Sequence, residues 1–183
     1  MNFRSIEEIM ELFDLWGTDH YDEDITQLDH ALQCAAHARA AGASDALVAA
    51  CLLHDIGHLI DLEAGGTVER PISARHEDVG ATSLATLFPP PVTAPIALHV
   101  RAKRYLAASE HGYIDALSEG SRSSLERQGG PMSPEETASF ESNAGFTDAC
   151  ALRRWDDLGK VEGVVVEPMS TYAELLERLS LRS

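Results

Sequence analysis

The chain has 183 residues and a formal net charge of −16. That acidity argues against nucleic acid or an anionic membrane surface as a partner, so an anionic substrate must be met by a local basic cluster or a metal. Three cysteines without CxxC spacing, two of them in apolar segments, predict reduced buried thiols. No apolar run is long enough to cross a bilayer, and the first residues carry no signal-peptide pattern. The expectation is a cytoplasmic protein folded as a single domain over residues 1–183.

The elements follow in chain order. Ser5 to Trp16 predicts a helix opened by a Ser5–Glu8 capping box, with Ile6, Ile9, Met10, Phe13 and Trp16 on one stripe. The acidic connector Thr18 to Asp24 follows, readable as a solvated loop or as a flap over a site. Thr26 to Ala41 predicts a helix with a small-residue face and Arg39 near its edge. His37, seven residues after His30, reads as a packed or surface histidine. Ser44 caps a third helix carrying His54, Asp55 and His58, with His54 and His58 on one face. Glu63 to Pro71 is a loop. A fourth helix over about Ser73 to Phe88 carries His76. Pro89-Pro90-Pro91 breaks the chain, and Thr93 starts a helix carrying His99 and Lys103.

Ser118 to Met132 predicts a short helix and a Gly129-Gly130-Pro131 turn. Ser133-Pro134-Glu135-Glu136 is a helix start, and Thr147 to Asp157 another helix, carrying Arg153 and Asp156. Val161 to Val166 is extended chain, and Ser170 or Thr171 starts a terminal helix. The fold class is all-α, a bundle of about six to eight helices.

Histidines and carboxylates recur once per helix: His30, His54-Asp55, His76, His99 and Asp156. A helical bundle builds an interior metal site from such single contributions. Four imidazoles and two carboxylates exceed the need of one ion and suit two, with Asp55 able to bridge; the mixture favours iron or manganese, with zinc still open.

The order His30…His54-Asp55…Asp156 resembles the HD-domain superfamily of metal-dependent phosphohydrolases, and His76 with His99 resembles its two-metal branch. The segments from Gln27 to Ala35, Leu52 to His58 and His99 to Leu106, with Ser121-Arg122, Gln128-Gly129-Gly130-Pro131-Met132 and Arg153-Arg154-Trp155-Asp156, narrow it further. They are similar to the mixed-valent diiron oxygenases that cleave the C–P bond of 1-hydroxyphosphonates (the PhnZ and TmpB type), from about Ile6 to Tyr172.

That resemblance implies an HD-domain helical bundle with a mixed-valent Fe(II)/Fe(III) pair inside. His30, His54, Asp55 and Asp156 would hold one iron, and Asp55, His76 and His99 the other. O2 would be the cosubstrate. His58, Lys103, Ser121 and Arg153 match positions around the phosphonate, and Lys103 and Arg153 supply the charge a dianion needs. In the acidic flap, His20 falls at the position of a tyrosine that caps the open iron, with Tyr21 one residue off. Glu23 falls where a carboxylate meets the substrate's amino end. The implied substrate is a 1-hydroxy-2-(amino or trimethylammonio)ethylphosphonate, cleaved to inorganic phosphate and glycine or glycine betaine. The competing readings are an HD phosphohydrolase acting on a nucleotide or phosphomonoester, and a non-catalytic HD module.

Overall fold

The computed structural model describes residues 1–20, 25–67 and 75–182. The helices are α1 (Ile6–Trp16), α2 (Gln27–Ala40), α3 (Asp45–Leu53), α4 (Ile56–Glu63), α5 (His76–Leu84), α6 (Pro90–Ser109), α7 (Tyr113–Ala116), α8 (Glu119–Arg127), α9 (Pro134–Glu141), α10 (Phe146–Leu158) and α11 (Ala173–Leu179), the last preceded by a 3₁₀ turn, Met169–Tyr172. The fold is all-α; among the described residues the only β pairing is an isolated bridge between His20 and Thr26.

α3 is the axis of the molecule. Leu47 to Leu53 are all buried, and a helix apolar on every side must be enclosed by others. It packs against α2, α6, α10 and α11. Ala49, Ala50 and Cys51 let those neighbours come close, while Leu52 and Leu53 fill the space beyond them. α5 completes the frame by packing on α4 and α6.

Serine and threonine caps set where the helices start. The side chains of Ser5, Thr26, Ser44, Ser118 and Ser133 each accept a backbone N–H from the first turn. The reciprocal capping box forms at Ser133–Glu136. At α1 only half of it forms: Glu8 accepts from the Arg4 N–H at 2.7 Å, one residue before the cap.

Several boundaries differ from the sequence expectation. The single helix expected through His54 and His58 is two: Asp55 takes φ −100°, ψ 10°, outside the helical well, and separates α3 from α4. His54 and His58 therefore do not share a helix face. The long helix starts at Pro90 rather than Thr93, because prolines in a first turn lose no intrahelical bond there. The expected start at Ser73 lies outside the described residues; α5 runs from His76. α7, a single turn, carries no periodicity for the sequence to reveal. Arg39 reaches past the α2 contact and lies 4.3 Å over the Tyr172 ring, and His37 is half-buried with no part in the site.

Beyond α10 the extended chain is clamped by one side chain. The Gln33 amide donates to the Val161 carbonyl at 2.7 Å and accepts from its N–H at 3.1 Å. This pairing fixes the path of Gly159 and Lys160, both of which face the site.

Candidate metal centre

Five helices converge on one point. His30 projects from α2, His54 from the end of α3, Asp55 from the α3–α4 break, His76 from the first residue of α5, His99 from α6 and Asp156 from α10. Asp55 stands between two histidine pairs. Its Oδ2 lies 3.6 Å from His30 Nε2 and 3.4 Å from His54 Nε2. Its Oδ1 lies 3.3 Å from His76 Nε2 and 3.5 Å from His99 Nε2. Asp156 joins the first pair only, at 3.4 Å from His30 and 3.8 Å from His54. Adjacent donors around a six-coordinate ion with bonds of about 2.1 Å sit about 3 Å apart, which these spacings approach.

The hydrogen bonds show that the donors suit a cation. Nδ1 of His30 faces the Gly159 carbonyl at 2.8 Å, that of His54 the Cys51 carbonyl at 2.8 Å, and that of His99 the Ile96 carbonyl at 2.7 Å. A carbonyl only accepts, so each Nδ1 carries the proton and each Nε2 presents a lone pair. Yet His30 and His54 meet Nε2 to Nε2 at 3.2 Å, and His76 and His99 at 3.1 Å. Lone pairs facing one another and two carboxylates, buried in protein, call for positive charge among them. His76 differs from the others: its Nδ1 lies 3.6 Å from the buried Glu77 carboxylate.

Without an ion among these groups, the two carboxylates draw the positive charge onto His54 instead. Burial raises the Asp55 carboxyl, but His54 and His76 outweigh it and hold it well below the ordinary range. Burial lowers the His54 imidazolium, yet the Asp55 charge carries it up to about 10. Burial and then His76 push His58 and His99 well below the usual imidazole value.

A small cavity of about 50 Å³ opens beside Asp55, His76 and His99. Lys103, Ser121, Arg153 and His58, all expected there, line it. His58 reaches it by stacking on His76, with ring centres 3.9 Å apart. The buried Arg153 donates to Asp156 at 2.5 Å, to the Tyr113 hydroxyl at 3.1 Å and to Ser121 Oγ at 3.3 Å, and pairs with Asp157. Lys103 donates to Ser124 at 2.6 Å. Burial, then Arg153, lowers the Lys103 ammonium to about 7.

Residues 28–138 match the HD domain family. A hydroxymethylphosphonate dioxygenase from Gimesia maris is 44% identical over 170 residues, 91% of this chain and 85% of that one. The [1-hydroxy-2-(trimethylamino)ethyl]phosphonate dioxygenase (glycine-betaine-forming) of Leisingera caerulea is 35% identical, covering 95% of this chain and 89% of that one. An uncharacterized protein, L432, of Acanthamoeba polyphaga mimivirus is 31% identical over 94% and 80%.

The chain belongs to the HD-domain family, in its hydroxyphosphonate dioxygenase branch. It is an oxygenase, and two groups of its side chains, His30, His54 and Asp55 and then Asp55, His76 and His99, are spaced so that each could hold a metal ion. Among the described residues no helix is long and apolar enough to cross a membrane.

Not every expected site residue of this HD-domain oxygenase is brought to the cavity. His20 is exposed and its recorded pairing is the bridge to Thr26; no described contact joins it to the metal ligands. Tyr21 and Glu23 lie outside the described residues. The structure adds residues that sequence reasoning missed. Lys160 donates to Ser121 at 2.7 Å and lies 3.6 Å from Asp156. Its place four residues after Asp156 was the available signal. Ser124 and Gln128 also line the cavity. Tyr113 and Asp157 brace Arg153, their hydroxyl and carboxylate 2.5 Å apart. Together with Arg153, Lys160 holds the Asp156 carboxyl well below its usual range against the upward pull of burial.

Proposed function

We propose that this oxygenase uses O2 to cleave the C–P bond of a small 1-hydroxyphosphonate, with hydroxymethylphosphonate the foremost substrate. The supporting observation is the juxtaposition of a carboxylate between two histidine pairs with a small cationic cavity. The 44% identical relative named for hydroxymethylphosphonate supports the choice of substrate. So does the cavity: its described lining offers anion-binding groups, and its carboxylates are the two metal-ligand candidates. The reaction balances as hydroxymethylphosphonate dianion plus O2 giving formate plus dihydrogen phosphate. Carbon loses four electrons, dioxygen gains four, and the C–P bond gives way to one new C–O and one new P–O bond.

In this reading His30, His54, Asp55 and Asp156 hold one iron, and Asp55, His76 and His99 the other. Bound there, a mixed-valent iron pair supplies the one-electron and dioxygen chemistry that side chains lack. The protein does the rest. Arg153 and Lys160 meet the phosphonate charge, with Lys103 joining them as the ammonium. Ser121 donates a hydroxyl hydrogen bond. His58, kept neutral by burial and by His76, presents one N–H to the anion without adding charge. The Tyr113–Asp157 brace keeps Arg153 in place while substrate enters and phosphate leaves. In the larger substrates Glu23 would face the second-carbon ammonium, and His20 or Tyr21 would cover the open iron position. The free thiols Cys34, Cys51 and Cys150 support a cytoplasmic location.

The test is phosphate release by iron-loaded protein from hydroxymethylphosphonate, (R)-2-amino-1-hydroxyethylphosphonate and its N-trimethyl analogue, each in air and under argon. Release in air alone, fastest from the first, is expected. Release from none of the three sinks the reading, and preference for an aminated substrate overturns the choice among them.

A further inference from the structure

Three of the four candidate ligand histidines are oriented by a backbone carbonyl, and His76 is not. Nδ1 of His30, His54 and His99 each faces a carbonyl oxygen at 2.7 or 2.8 Å. Nδ1 of His76 faces Glu77 Oε2 instead, at 3.6 Å. That separation is longer than a hydrogen bond. The same Oε2 is buried and has no hydrogen-bond partner among the described residues. A carboxylate oxygen left buried in that state costs stability and asks for a reason.

Adjacency in the chain is not the reason. Successive residues of a helix project about 100° apart, so their side chains do not ordinarily face each other. Here the carboxylate is turned back onto its neighbour's ring in the first turn of α5. The helix dipole is not the reason either. Asp78 already places a charge in that turn, half-exposed and paired with Arg75, which serves the dipole without burying a carboxylate. On its other side the His76 ring is committed to the metal centre. Its Nε2 lies 3.3 Å from Asp55 Oδ1 and 3.1 Å from His99 Nε2. An ion bound at Nε2 keeps the ring proton on Nδ1, where Glu77 waits. Closing that gap to an ordinary length of about 2.9 Å takes a movement of about 0.7 Å.

We propose that Glu77 is a positioning residue for the ion held by Asp55, His76 and His99. Its carboxylate accepts the Nδ1–H of His76 when that ion is bound. It fixes the ring and lends it more electron density than a carbonyl partner would, so this iron is bound more tightly and oxidised more easily. The unpaired oxygen of the metal-free chain is repaired by metal binding. The inference rests on the centre holding iron, as proposed above.

The experiment uses the full chain, with ferrous iron titrated in the absence of oxygen, then a redox titration of the loaded protein followed by EPR. Glu77→Leu has no acceptor. The dissociation constant of one of its two irons should rise roughly ten- to a hundredfold, the range for losing the partner of a ligating histidine, and the other iron should bind as in the parent. The metal-free variant should melt at or above the parental temperature, since it buries no unpaired carboxylate. Glu77→Gln keeps an acceptor but loses the charge. It should retain iron better than Glu77→Leu, yet its potential should rise by about tenfold in the ferrous-to-ferric ratio, about 59 mV for one electron. Asp78→Asn, which removes a charge from the same turn, should keep parental affinity and potential. Parental affinity for both irons in Glu77→Leu overturns the proposal, as does a metal-free melting temperature well below the parental one. Effects of equal size in Asp78→Asn overturn it too, by reducing Glu77 to a dipole charge. If Glu77→Leu does not fold, Glu77→Gln decides: a raised potential supports the role and a parental one overturns it. The ferrous titration needs no oxygen chemistry. Selective loss of one iron in a protein whose parent turns over no hydroxyphosphonate therefore refutes the oxygenase reading and leaves Glu77 in place.

Discussion

At the scale of single residues, Asp55 is the hinge of the account. Its two oxygens face different histidine pairs, a division that composition and spacing could suggest only as a possibility. Replacing Asp55 with alanine should empty both sites, because each loses a carboxylate oxygen. Elemental analysis should show iron falling from two per chain to near zero; retention of both irons would mean that Asp55 does not bridge. Lys103 yields a second prediction. Burial and Arg153 bring its ammonium down to about 7. Below that pH the free enzyme holds a charged lysine for the anion, and above it a neutral one. The kcat/KM for a hydroxyphosphonate should therefore decline as pH rises through about 7, while kcat, measured with the dianion bound, should decline at higher pH. Lys103→Arg, charged throughout, should remove the decline in kcat/KM; persistence of the decline would assign it to another group.

At the scale of elements, the helices were largely legible because caps and apolar stripes are local signals. Ser44, Thr26 and Ser133 mark starts that the structure reproduces. The break after Leu53 was not legible. Beyond it α4 runs so close to α5 that a Cβ on Gly57 would sit 2.0 Å from the His76 carbonyl oxygen, a contact distant in the chain. The glycine in His54-Asp55-Ile56-Gly57-His58 is therefore a packing requirement that also sets the position of His76. Gly57→Ala must push α5 away, costing about 1–3 kcal/mol as overpacking does. Thermal melting should show a lower midpoint. Iron content should fall toward one per chain, because the His76–His99 side is displaced while the His30–His54 side is untouched. Equal loss from both sides would contradict this coupling. The single-turn α7 and the Gln33 clamp escaped the sequence for the same reason: both are defined by partners distant in the chain, Tyr113 by Arg153 and Gln33 by Val161.

At the scale of the whole molecule, a chain of net charge −16 gathers Lys103, Arg153 and Lys160 around one small cavity. The six ligand candidates that the sequence offered, His30, His54, Asp55, His76, His99 and Asp156, all meet at one point. The sequence supplied less of the anion cavity. Lys160, Ser124 and Gln128 are ordinary residue types whose role depends on where the turn after α8 and the chain after α10 come to rest. Tyr21 and Glu23 of the acidic connector lie outside the described residues, so the choice among hydroxyphosphonates passes to the substrate panel. The central claim is that this architecture consumes dioxygen to break a C–P bond. The direct measurement is oxygen uptake followed together with phosphate release from hydroxymethylphosphonate by the iron-loaded protein. The account predicts one O2 consumed per phosphate formed, and no phosphate when oxygen is removed. Phosphate formed without oxygen uptake, from this substrate or from a phosphomonoester in its place, would contradict it.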